Sequence, residues 1–117
     1  MAFKFEDLRV WQRALDLSEE VHKLTLSFPK EEMFVLSSQI KRATDSIALN
    51  IAEGSTGQSD KEFARFLGIA LRSAVEVVSC LHLGKRRGLI HDDQFQQLYD
   101  DLTDLIKMIQ ALRNSLN

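Results

Sequence analysis

Residues Leu36 to Glu53 constrain the chain more than any other stretch, because they carry two stripes at once. Leu36, Ile40, Ala43, Ile47 and Ile51 recur at intervals of four and three. At 100° per residue they fall on one narrow face, the pattern of a helix that buries a side. Beside them, at the same spacing, run Gln39, Arg42, Ser46, Asn50 and Glu53. This ladder of hydrogen-bonding groups lies along the edge of a buried face. A polar group left unpaired there costs about 1–3 kcal/mol, and an unpaired charge more. A neighbouring helix must therefore supply partners, which points to helix packed on helix.

The rest of the chain provides such neighbours. A first helix over about residues 6–28 is predicted by Val10, Ala14, Leu17, Val21, Leu24 and Phe28, with Leu8, Trp11 and Leu15 as a second apolar edge and Pro29 as its stop. The central helix should span about residues 30–53, with Glu31 and Glu32 in its first turn and Gly54 as a left-handed closing residue. Ser59 and Glu62 have the spacing of a capping box that starts a third helix over about residues 60–87. Phe63, Leu67, Ala70, Ala74, Val77, Val78 and Leu81 form one of its faces, and Phe66, Ile69, Ser73, Glu76 and Cys80 an adjacent one. Gly88 ends it.

Asp92 and Asp93 then suit the first turn of a fourth helix, over about residues 92–115, and Ile90 with Phe95 suits a hydrophobic staple. Phe95, Leu98, Leu102, Leu105, Ile109, Leu112 and Leu116 keep a strict three-four seam. Four long helices on short links predict an all-α fold, an antiparallel up-down-up-down four-helix bundle forming a single domain over residues 1–117.

Composition matters here mainly for what it excludes. A net charge of -2 gives no overall basic field, although a local basic patch can exist within it. The lone Cys80 permits no internal disulfide and no cysteine-rich zinc site, in keeping with a reducing cytoplasm. No apolar run approaches the 18 or more residues of a membrane span, and the first residues lack the apolar stretch of a signal peptide. The expectation is a cytoplasmic protein with no membrane contact.

Motifs that could carry chemistry are sparse. Glu19 and His22 have the Glu-x-x-His spacing of di-iron bundles, but His82 and His91 lack a glutamate three positions earlier, so no second half exists. Gly54 to Gly57 precede a helix, yet no strand enters them and no Gly-Lys-Ser/Thr follows, which argues against a phosphate-binding loop. Glu53 and Glu76 could form an acid and base pair, but nothing supplies a nucleophile, metal or cofactor.

The structural alternative is a polar network of Gln39, Arg42, Ser46, Asn50, Glu53, Ser73 and Glu76, with Arg42 or Arg72 as the compensating cation, that fixes helix register or subunit orientation. Lys85, Arg86 and Arg87 are the nucleic-acid-binding candidates, although cations there also suit the negative end of a helix. No catalytic, cofactor or metal site and no small-molecule substrate is expected.

The segments Phe5 to Ala14, Phe28-Pro29 with Glu32 and Phe34, Gln39 to Gly54, and Phe66 to Ala70 with Ser73 and Glu76 together resemble a bacterial family of four-helix-bundle proteins. That family is related to the product encoded in intervening sequences of 23S ribosomal RNA genes, and the likeness extends to the accessory protein of diversity-generating retroelements. The resemblance implies a ring-shaped homopentamer and contact with RNA or a ribonucleoprotein. The chain departs from the family pattern at Val35, where glycine is usual, at Ala48, where proline is common, at Gln58, where arginine is frequent, and at Arg72, where glycine usually precedes the serine.

Two readings follow for function. One is a non-enzymatic oligomeric module for RNA or a ribonucleoprotein, and the other is a protein-protein scaffold without nucleic acid.

Overall fold

The computed structural model describes residues 2–57 and 59–116, so Gln58 lies outside the described residues. Four helices, α1 (Arg9–Thr25), α2 (Leu36–Gly54), α3 (Asp60–Arg86) and α4 (Asp92–Ser115), are accompanied by 3-10 turns at Lys4–Asp7 and Lys30–Glu32. Each helix packs on the two next to it around a square, and α4 closes onto α1. The result is an up-down-up-down four-helix bundle measuring 43 × 22 × 21 Å. Its most extensive contact joins α2 to α3, and its least extensive joins α1 to α4.

The predicted stripes meet at the centre. Ala14, Val21, Ile40, Ile47, Ile51, Leu67, Ala70, Ala74, Val77, Leu81, Leu102 and Ile109 are fully buried. Val78, Leu112 and Leu116 sit half-buried at the margin of this core, while Leu15, assigned to the second apolar edge of α1, is exposed.

The helix ends differ from the sequence expectation in ways that local chemistry explains. α1 starts at Arg9 rather than at residue 6 because Glu6 is used in the preceding turn, where its carboxylate accepts from the Phe3 N–H at 2.9 Å. Phe5 of that turn meets Trp11 edge-on at 4.9 Å. α1 ends at Thr25, short of Pro29, because the residue before a proline is driven out of helical backbone. The N–H groups of Leu26, Ser27 and Phe28 accordingly bond three residues back instead of four.

α2 begins at Leu36, not at residue 30. Lys30–Glu32 forms its own 3-10 turn, and Glu32 then caps the helix from outside by accepting from the Leu36 N–H at 3.3 Å. The capping prediction at Ser59 is met in one arm, since its hydroxyl accepts from the Glu62 N–H at 3.0 Å.

Gly54 does not close α2 in a left-handed conformation, because it remains helical and only Gly57 and Gly88 have positive φ among the described residues. It is small for a different reason. A Cβ built on Gly54 would lie 2.5 Å from the Phe66 Cβ, so the residue sets how closely α3 approaches α2.

The expectation about apolar runs also needs correcting. α3 contains an 18-residue window of mean hydropathy 1.6 and is long and apolar enough, by length and composition, to cross a membrane. The bundle uses that character in its core, through Phe63, Leu67, Ala70, Ala74, Val77 and Leu81.

Candidate functional site

The polar ladder of α2 lies on the outer seam between α2 and α3, at the edge of the core. Because the two helices run antiparallel, the amino-terminal half of the ladder faces the carboxy-terminal half of α3. Gln39 donates its side-chain amide to the Glu76 carboxylate. One step inward, the hydroxyls of Ser46 and Ser73 meet at 2.9 Å, and Ser73 is buried. Asn50 donates to the Ser46 carbonyl at 2.8 Å and to its hydroxyl at 3.0 Å, which orients the serine pair. Gln39, Arg42, Ala43, Ser46, Ser73 and Glu76 together line an open groove of about 300 Å³.

Two of the seven expected members stand apart from these bonds. Arg42 lines the groove but makes no ion pair or hydrogen bond among the described residues, and neither does Arg72, so neither supplies the expected cation. The Gln39 amide answers Glu76 instead. Glu53 sits about 20 Å along α2 from Gln39, where its charge adds to the pull on Arg65, whose guanidinium is bound first by Glu62 at 2.6 Å. The same hydrogen bond holds the Glu62 carboxyl below its ordinary range and Arg65 above its own. Separation of this size rules out an acid and base pair of Glu53 with Glu76. Burial raises the Cys80 thiol, Glu76 adds to the rise and Arg87 opposes it.

A serine pair on a helix seam favours one register, because a slip of either helix separates the two hydroxyls and leaves them unpaired at a partly buried site. Removing either hydroxyl should lower stability by about 0.5–1.5 kcal/mol. A double-mutant cycle over Ser46→Ala and Ser73→Ala in thermal or urea unfolding should then show that the second loss costs less once the first is made.

Lys85, Arg86 and Arg87 diverge at the end of α3. The Lys85 ammonium lies 4.5 Å above the Phe95 ring and 3.8 Å from Asp92. Arg87 turns the other way and pairs with Glu32 at 3.2 Å. Arg86 is exposed and makes no ion pair among the described residues.

Sequence reasoning missed a cluster on the α1–α2 seam. Ser18 donates to Asp45 at 2.6 Å, and the His22 ring nitrogen lies 3.2 Å from the same carboxylate oxygen. The carboxylate stands between the hydroxyl and the imidazole, so the order is not that of a serine activated by a histidine, and the cluster joins α1 to α2. Ser18 and His22 are four apart on α1, a signal that was readable, but their partner comes from another helix. Among the described residues no group of three metal-ligating side chains gathers.

The class defined by this fold is a four-helix bundle whose polar seams tie helix to helix. The family model of the 23S rRNA-intervening sequence protein matches residues 6–111, and the chain belongs to that family. A crystal structure of a protein of unknown function from the S23 ribosomal protein family of Bacteroides thetaiotaomicron is similar to it, with 29% identity and a TM-score of 0.81. The match covers 90% of this chain and 95% of that one. No curated protein matches the chain.

Proposed function

We propose that the chain is a non-enzymatic, self-associating module that contacts RNA through the outer surface of α3. The observation that carries this reading is the segregation of charge within a chain of net charge -2. α3 holds Lys61, Arg65, Arg72, Lys85 and Arg86 against only Asp60, Glu62 and Glu76. α4 reverses the balance, with Asp92, Asp93, Asp100, Asp101 and Asp104 against Lys107 and Arg113. Acids are thus sparser than bases on α3, which carries Arg72 and Arg86 without ion pairs among the described residues.

Phosphate contacts make binding weaken as salt rises, with a slope of about 0.7–0.9 per contact. Binding of a labelled RNA, followed by anisotropy across a salt series, should show that slope. Arg86→Gln should reduce it by about one contact, whereas Arg87→Gln, which breaks a pair with Glu32, should change stability more than affinity. Salt-indifferent binding, or none, would remove the reading.

A second reading, a scaffold for protein alone, is favoured by one apolar end of the bundle. Phe34 is 89% and Leu26 84% exposed, next to the exposed Met33 and Val35. We assign self-association to this end in the RNA reading. A protein partner lost on Phe34→Ser, in a chain that binds no RNA, would establish the scaffold reading instead.

A further inference from the structure

We propose that the outer face shared by α3 and α4 is a track for single-stranded RNA, with Tyr99 as a base-stacking surface and Arg72 and Arg86 as phosphate contacts. This rests on the RNA reading above and goes beyond it in naming the form of the nucleic acid and the ring that reads it.

The argument begins with spacing. Arg65, Arg72, Ser79 and Arg86 recur every seven residues on α3. Seven residues are close to two turns, so these side chains follow one crest with steps of about 10 Å. Arg65 is held by Glu62, whereas Arg72 and Arg86 make no ion pair among the described residues.

Beside the crest, the side of α3 turned toward α4 carries Ala64, Gly68, Leu71, Val75, Val78, His82 and Lys85, and the facing side of α4 carries Phe95, Tyr99, Thr103, Ile106, Gln110 and Arg113. Between Ala64 and Lys85 and between Phe95 and Arg113 neither row contains a carboxylate; Asp60 and Asp92 open the two rows, and Glu76, four residues after Arg72, is bound by Gln39. Asp92 lies at the rim, against Lys85. Asp100 is rotated 100° around the helix from Tyr99 and receives the Gln96 amide.

Rings are set into this seam. Tyr99 stacks on Phe95 with centroids 5.6 Å apart and an interplanar angle of 24°. His82 stands edge-on to both, at 4.9 Å from Phe95 and 6.3 Å from Tyr99. Phe95 is buried and anchors the group, while Tyr99 remains 38% exposed. The Tyr99 ring is therefore held in place before any ligand arrives, which reduces the ordering needed on binding.

Fixed aromatic faces combined with a line of cations are how single strands are bound without a groove. Bases stack on the rings and phosphates follow the charges. A duplex keeps its bases stacked on one another and can use only the cations.

The test compares a short labelled single-stranded RNA of mixed sequence with the same sequence annealed as a duplex, by anisotropy on the full chain. Tyr99→Ala should weaken single-strand binding by roughly tenfold and leave duplex binding unchanged, whereas Tyr99→Phe, which keeps the π face, should bind as the native chain does. Arg72→Gln with Arg86→Gln should weaken both forms. Single-strand binding that survives Tyr99→Ala but falls with the arginines would overturn the stacking proposal and leave the phosphate reading intact. Absence of binding to either form would overturn both, and a melting curve of each variant checks that the fold persists.

Discussion

Gly54→Val should lower stability by about 3 kcal/mol and the melting temperature by roughly 10–15 °C, followed by circular dichroism at 222 nm. The Cβ of any substituent would lie 2.5 Å from the Phe66 Cβ and 3.1 Å from the Phe63 ring. A Cβ cannot rotate out of the way, so α3 as a whole must shift, and valine adds two methyls to the conflict. Overpacking of a tight interface costs about 1–3 kcal/mol for smaller insults than this.

Gly84→Ala provides the contrast. Its Cβ would meet the Ile90 Cδ1 at 2.5 Å and Cγ1 at 2.9 Å, but both atoms belong to the outer part of one side chain, which can turn about its χ angles as a Cβ cannot. Rotation of Ile90 and the better helix propensity of alanine, about 1 kcal/mol, should leave Gly84→Ala within about 1 kcal/mol of the native chain. If the two variants melted alike, close approach at Gly54 would not be what sets the α2–α3 distance.

The same two glycines show where sequence reading succeeds and where it stops. Periodicity of three and four located all four helices, because a buried stripe must repeat with the helix whatever it packs against. It could not separate a glycine that closes a helix from one that lets another helix come near, since both uses place glycine at a helix end. The start of α2 was misplaced for a similar reason. Glu31 and Glu32 suit the first turn of a 3-10 segment as well as that of an α-helix, and the break at Val35, with ψ at -100°, has no compositional mark.

The candidate site was legible to the same degree. Spacing alone put Gln39, Ser46 and Asn50 on one edge and Ser73 with Glu76 on another, and the structure joins these edges through Gln39 to Glu76 and Ser46 to Ser73. What spacing could not supply was register between helices. Glu53 belongs to the same stripe as Gln39, but antiparallel packing puts it level with Arg65 and far from Glu76. The Ser18, Asp45 and His22 cluster was hidden for that reason too, since its members lie 23 and 27 residues apart. The rings on the α3–α4 face became visible only when His82 and Tyr99 were brought together across two helices.

The second large effect is expected at Ile47, and it separates stability from binding. Ile47 is fully buried in the middle of α2, in the bundle's most extensive contact. Ile47→Ala removes three buried carbons and leaves a cavity that the surrounding helices fill only in part, so unfolding in urea should show a loss of about 2–5 kcal/mol. Leu49→Ala, at a position 65% exposed on the same helix, should change stability by no more than about 0.5 kcal/mol.

Domains of this size have about 5–15 kcal/mol of stability, so a loss of about 2–5 kcal/mol lowers the temperature below which the Ile47 variant is folded, and the melting curve sets where its binding is measured. The proposed RNA track uses side chains of α3 and α4 and none of α2. Below its lowered melting point, Ile47→Ala should therefore bind single-stranded RNA as the native chain does, while Tyr99→Ala loses affinity. A parallel loss of affinity in Ile47→Ala at a temperature where it is folded would mean that the α3–α4 face depends on the packing of the whole bundle rather than on its own rings and charges.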